Sequence, residues 1–193
     1  MINNLEQISK LLKFEDENEF YFIQVIQRKK EVADLGRNNR VIKIYYVYSL
    51  DKLEKYKEEI IDLCELFNAR AYIHLNRRNS KVISFEMMEL LATNIKNSHF
   101  NQLHNLYNSV CGQHHSDKDK TWIIDIDDKN RDYIEEISDT LFPIQPAGEK
   151  IISIIETKNG FHLITKPFNS QKFGEIYPEI SLHKNNPTIL YIS

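Results

Sequence analysis

Hydrophobic and polar residues follow two kinds of period along the chain. Glu19 to Gln27 (EFYFIQVIQ) and Arg40 to Tyr48 (RVIKIYYVY) are aromatic and β-branched, and they predict two strands. The polar segment between them, 29–39, carries Gly36 and Asn38-Asn39, as a long hairpin connection does. From Asp51 to Phe67 the apolar residues recur at helical spacing. Leu53, Tyr56, Ile60, Leu63 and Phe67 fall on one stripe, and Asp51 is the expected N-cap. Arg70 to Asn76 (RAYIHLN) predicts a strand with Arg70, Tyr72, His74 and Asn76 on one face and Arg77-Arg78 in the exit loop. Helices are expected over Ser84–Lys96 and Phe100–Cys111.

The pattern then changes. Thr121 to Asp127 (TWIIDID) predicts a short apolar strand ending in acids, and Asn130 to Leu141 a helix. Lys150–Thr157 and Phe161–Lys166 predict two strands joined through Asn159-Gly160. Asn-Gly between β runs is the signal of a type I′ turn, which needs positive φ at both central residues. Ser170–Tyr177 predicts one or two helical turns, and Thr188–Ile192 a last strand. This order predicts an α+β fold with a largely antiparallel or mixed sheet.

Composition narrows the class without naming a function. With 193 residues, 41% apolar and 27% charged, the chain reads as one globular domain able to bury a core without disulfides. Cys64 and Cys111 are too few for a disulfide framework or a four-thiolate zinc site. Met1 to Lys13 lacks a signal pattern and no apolar run is long enough to span a bilayer, so the expectation is a soluble cytoplasmic protein with no membrane partner. The net charge of -3 argues against a polyanionic partner until it is divided by position. Residues 1–80 hold 14 basic and 13 acidic side chains, whereas 81–193 hold 11 and 15. The deficit lies where Asp125, Asp127 and Asp128 crowd together.

Asp125 and Asp127 stand at i and i+2 on a strand, so they share a face. Two carboxylates so placed repel unless a cation lies between them, and Mg²⁺ or Mn²⁺ beside a substrate phosphate suits that pair. A strand that simply ends in solvent would account for the same acids. His162 opens the strand after the Asn-Gly turn and shares a face with Ile164 and Lys166. An imidazole and an ammonium there can meet a polyphosphate. A structural histidine at a strand edge is the alternative.

Taken in order, Ile123-Ile124-Asp125-Ile126-Asp127 followed by Gly160-Phe161-His162 on a hairpin resembles the archaeo-eukaryotic primase (primase-polymerase) superfamily. The first string matches its hydrophobic-Asp-x-Asp motif and the second its small-x-His motif. The match covers Trp122 to Thr165, and the rest agrees in element order. The resemblance implies an RRM-like palm, with 1–193 as one primase-like domain made of an N-terminal αβ part (1–80) and an RRM-like part (81–193). It implies divalent metals on Asp125 and Asp127 and a nucleoside triphosphate contact at His162. The metals would align a 3′-hydroxyl with the α-phosphate. The family's third motif, a hydrophobic residue followed by an acid, is missing. Glu179 follows Pro178, His183 follows Leu182 as a substitute ligand, and Asn185 stands as a degraded acid.

Other groups bear on the partners. Arg70, His74, Arg77 and Arg78, with Lys81 beyond, form the best basic patch and are candidates for phosphates or stacked bases; an edge strand with a solvated loop is the alternative. Arg28, Lys29, Lys30, Arg37 and Arg40 form a second cluster, offset by Glu31 and Asp34. Cys111 to Asp117 holds adjacent His114 and His115, which cannot easily reach one ion, and reads as an exposed loop. The two-histidine phosphodiesterase pattern fails because Ile164 and Asn76 stand where Thr or Ser is needed. A dehalogenase-type phosphatase fits poorly, because a long segment precedes the acids and a hairpin follows them. The expectation is a nucleotidyltransferase acting on nucleoside triphosphates and a single-stranded or primed nucleic acid. A helicase or another replication protein would be supplied in trans. The alternative is a catalytically silent nucleic-acid-binding relative.

Overall fold

The computed structural model describes residues 1–32, 38–116 and 118–193. Asp34, Gly36 and Arg37 of the basic hairpin connection, and Asp117, lie outside the described residues. The chain runs β1 (Ile2–Asn3), α1 (Leu5–Ser9), β2 (Glu19–Gln27), β3 (Arg40–Val47), α2 (Leu50–Leu66), β4 (Arg70–Asn79) and α3 (Ser80–Lys96). A 3-10 helix (Phe100–Asn105) leads into α4 (Leu106–Gln113). Then come β5 (Trp122–Ile126), α5 (Arg131–Leu141), β6 (Ile151–Glu156), β7 (Phe161–Thr165), α6 (Ser170–Ile176), β8 (Ser181–His183) and β9 (Thr188–Ile192). The fold is α+β, with two antiparallel sheets in place of one. No described helix is long and apolar enough to cross a membrane.

The first sheet has the order β1-β9-β4-β2-β3. Alternation along β2 and β3 sends Tyr21, Ile23, Val25, Tyr45 and Val47 into a core with Leu53, Ile60 and Cys64 of α2. Phe20 and Phe22 go the other way, onto Ile83 of α3 and Val110 and Cys111 of α4. The second sheet has the order β6-β7-β5-β8. Its connectivity, β5-α5-β6-β7-α6-β8, is a split β-α-β arrangement in which each helix crosses over one inserted strand. One face buries Trp122, Ile124, Ile126, Phe161 and Leu163 against α5 and α6. The other face sends Ile123, Ile155 and Ile164 into the core of the first sheet. The two sheets therefore meet along the face that also carries Asp125 and His162.

Several local expectations change. Ser49, not Asp51, caps α2, its side chain accepting from Lys52 N. Arg77 and Arg78 lie in β4 rather than in a loop, and β4 is an inner strand between β9 and β2. The Asn-Gly turn is not type I′. Neither Asn159 nor Gly160 takes a positive φ, and the connection is closed by Thr157 N donating to Gly160 O at 2.9 Å. The segment 100–111 divides into a 3-10 helix and α4. Ile83, Val110 and Cys111 sit against the first sheet, and β9 returns to it.

Candidate active site

β5 leaves the inter-sheet core at Ile123 and reaches open space two residues later. Ile123 is buried, Asp125 half-buried and Asp127 exposed, so the strand anchors the acids at the mouth of a cleft. Asp125 pairs directly across the ladder with His162 on β7 and with Ser181 on β8. Its Oδ1 lies 3.3 Å from His162 Nε2, and its Oδ2 lies 3.8 Å from His183 Nε2. The hydrogen bond from His162 outweighs burial and holds the Asp125 carboxyl below the usual carboxylate range. His162 is fixed from behind by Thr188, with Nδ1 and Oγ1 2.9 Å apart. When Nε2–H faces Asp125, Nδ1 of the neutral ring accepts the Thr188 hydroxyl proton.

Gly160 sets the spacing of this pair. A Cβ built there would stand 2.0 Å from Ile126 O and 2.7 Å from Asp128 N, so the turn lies directly on the backbone that leaves β5. Glycine serves close approach here, not positive φ. The hairpin is pressed onto the acidic strand, which brings His162 beside Asp125.

The cleft has a volume of about 460 Å³, within the range of small-molecule sites. Asp125, Asp127, His162 and His183 line one wall, and Arg28, Arg70 and Tyr72 of the first sheet's side line another, with Lys158 on the hairpin. Arg70 and Lys158 both donate to Glu31. Glu31, Lys158 and Thr188 escape sequence reasoning. They lie in a polar connection, a turn and a strand start, and only the tertiary fold brings Thr188 to His162 and Glu31 to Arg70 and Lys158.

The remaining basic candidates lie elsewhere. Lys166 stands at the far end of β7, lining a different cleft with Leu11, Tyr21 and Pro167. Arg77 is buried and paired with Glu19 at 2.8 Å and Asp119 at 2.9 Å, lining that same cleft. Arg78 is fully buried and donates to Cys111 O and Gly112 O at the C-terminal end of α4, and to Asn185 Oδ1. Carbonyls of a helix C-terminus thus compensate its charge in the absence of a carboxylate partner among the described residues, although burial still lowers its pKa to about 10. His74 is buried beside it and pushed down to about 3 by burial and by the Arg78 charge, which leaves a neutral ring. These residues tie β4 to α4 and to the segment before β9; they do not face the acids.

The third position resolves onto β8. His183 flanks Asp125 on the side opposite His162. Glu179 instead accepts from Tyr133 at 3.4 Å, and Asn185 donates to Gly112 O and Gln113 O. Asp128 turns away, capping the approach to α5 by accepting from Asn130 N. His114 lies 3.7 Å from Glu86, apart from the cleft.

Among the described residues no group of three His, Cys, Asp or Glu side chains is arranged to hold a metal ion. Mg²⁺ and Mn²⁺ keep several waters and commonly bind through one or two carboxylates plus substrate phosphates. Asp125 and Asp127 on one rim, opposite cationic side chains, fit an ion carried in with a polyphosphate better than a resident one.

No family model, no curated protein and no solved structure matches this chain. The functional reading therefore rests on the site itself.

Proposed function

We propose that this chain is a primase-polymerase-like nucleotidyltransferase that joins nucleoside monophosphate units from nucleoside triphosphates onto a nucleic acid strand. The observation that carries the reading is the Asp125–His162 cross-strand pair at 3.3 Å, with Asp127 on the same rim of a cleft whose far wall holds Arg28 and Arg70. The split β-α-β connectivity of the second sheet supports an RRM-like palm, and the two motifs lie on its adjacent strands β5 and β7. In this reading Asp125 and Asp127 hold the divalent ions, Mg²⁺ or Mn²⁺. Such ions, when bound, neutralise phosphate charge and lower the pKa of an attacking hydroxyl. His162, held at Nδ1 by Thr188, has its Nε2–H to share between Asp125 and a phosphate oxygen of the nucleotide. Arg28 and Arg70 offer charge to the polyphosphate across the cleft. The strand's 3′-hydroxyl gives up its proton to solvent as its oxygen forms a bond to the α-phosphorus, and the bond from that phosphorus to the departing pyrophosphate breaks.

The test is incorporation of labelled nucleotide with Mn²⁺ or Mg²⁺. Asp125→Ala with Asp127→Ala should reduce it by at least about 10²–10³-fold while the fold persists by circular dichroism. Unchanged incorporation would sink the reading.

A second reading follows from His183. An imidazole stands 3.8 Å from Asp125 where the resemblance calls for an acid. A catalytically silent relative that binds nucleic acid, working with a helicase or other replication protein, accounts for that replacement. It predicts strand binding by the wild type with no incorporation under any metal.

A further inference from the structure

Glu31 follows β2 and lines a second cleft, which shares Arg70 and Lys158 with the acidic one. Arg70 Nε donates to its Oε2 at 2.9 Å, and Arg70 Nη2 donates to its Oε1, so the guanidinium fork is bidentate. Lys158 Nζ donates to the same Oε1 at 3.0 Å. The Arg70 side chain is 8% exposed and that of Glu31 20%, so the pair is largely withdrawn from water. Burial raises the Glu31 pKa, but the hydrogen bonds from Arg70 and Lys158 prevail and keep it below its ordinary value.

Two cations grip one carboxylate, which leaves the cluster with a net positive charge. A carboxylate held by a guanidinium fork and an ammonium occupies the geometry in which phosphate oxygens are also held. The position is a junction. Arg70 and Lys158 line the cleft with Asp125 and Asp127, and they also line a neighbouring cleft of about 540 Å³ that contains Lys30 and Lys129. A phosphate chain passing from one cleft to the other would cross these two side chains.

We propose that Arg70 and Lys158 form a phosphate-oxyanion site at the junction of the two clefts, and that the Glu31 carboxylate is its internal competitor. An incoming phosphate displaces Glu31 rather than binding beside it. The ligand class rests on the nucleotidyl-transfer reading of the cleft. Two sources carry that chemistry, the triphosphate tail of a nucleotide and the backbone of a single strand.

Calorimetry without metal, in the presence of a chelator, tests this with two probes: inorganic tripolyphosphate and a short single-stranded oligonucleotide lacking terminal phosphates. Glu31→Gln should bind at least one probe about tenfold tighter than the wild type, because a buried charge competitor is removed. A gain for tripolyphosphate assigns the nucleotide tail, and a gain for the oligonucleotide assigns the strand. Adding Lys158→Ala to Glu31→Gln should erase most of the gain. Lys158→Ala alone, at a largely exposed side chain, should weaken the same probe several-fold, which keeps the test open if Glu31→Gln does not fold. Glu156→Gln is the control, since Glu156 lines the second cleft without an ion pair to Arg70 or Lys158 among the described residues. No gain with either probe, an equal gain in Glu156→Gln, or unchanged binding in Lys158→Ala would overturn the proposal. The readout contains neither metal nor catalysis. A Glu31 effect without incorporation refutes only the enzyme reading, and incorporation without a Glu31 effect refutes only this site.

Discussion

Gly160 is small in the chain and decisive in the site. Its missing Cβ is what allows the hairpin to touch Ile126 O, and His162 stands two residues on. Gly160→Ala should therefore destabilise the protein by about 1–3 kcal/mol through forced overpacking. Urea denaturation measures the loss, and the proposed nucleotide incorporation should decline with it. His74 gives a pH signature. Its folded pKa of about 3 lies below the ordinary value of 6.5, so the unfolded chain takes up a proton that the fold refuses. Stability from this residue is complete above about pH 6.5 and is lost as pH falls toward 3. The stability difference between wild type and His74→Asn should be flat above pH 6.5 and should shrink steadily below it, as chemical denaturation at several pH values would show. At this scale the sequence made Asp125, Asp127 and His162 legible because each sits in a short local pattern. Arg77 and Arg78 read as an exposed exit loop because charge is visible in a sequence and burial is not. Asn-Gly marks Gly160 as a turn former, whereas tertiary contact with β5 decides it.

Elements with strong periodicity were readable nearly to the residue. β2 spans Glu19–Gln27 and β9 spans Thr188–Ile192, both as their β-branched runs predict. The misses are short or polar. β1, α1 and β8 have 2, 5 and 3 residues, too few for any period to register. β8 matters most, since it sets His183 beside Asp125. The polar stretch Asn76 to Asn79 continues β4 because Arg78 finds carbonyl partners inside. Asn79 then ends the strand and starts α3, its side chain accepting from Lys81 N and Val82 N. Asn79→Ala should cost about 1 kcal/mol as a lost N-cap. Thermal melting would show it as a fall of a few degrees, with the proposed incorporation unchanged because α3 packs against Phe20 and Phe22 and not against the acids.

For the whole molecule, the α+β class follows from element order, and the division into two sheets does not. Local pattern marks which residues alternate, while strand pairing depends on partners far away in the chain. Asp125 meets His162 and His183 through such pairings, so the site was legible as a set of motifs and not as a cleft between sheets. That geometry also fixes an order of assembly. β9 sits between β1 and β4, so the first sheet lacks an inner strand until residues 188–192 have been synthesised. A nascent chain carrying β2, β3 and β4 keeps one side of β4 unpaired while the whole second sheet is made. The sheet begun first is the one completed last. The strand that completes it brings Thr188, so the hydrogen bond that holds His162 Nδ1 forms only when the last strand joins the first sheet.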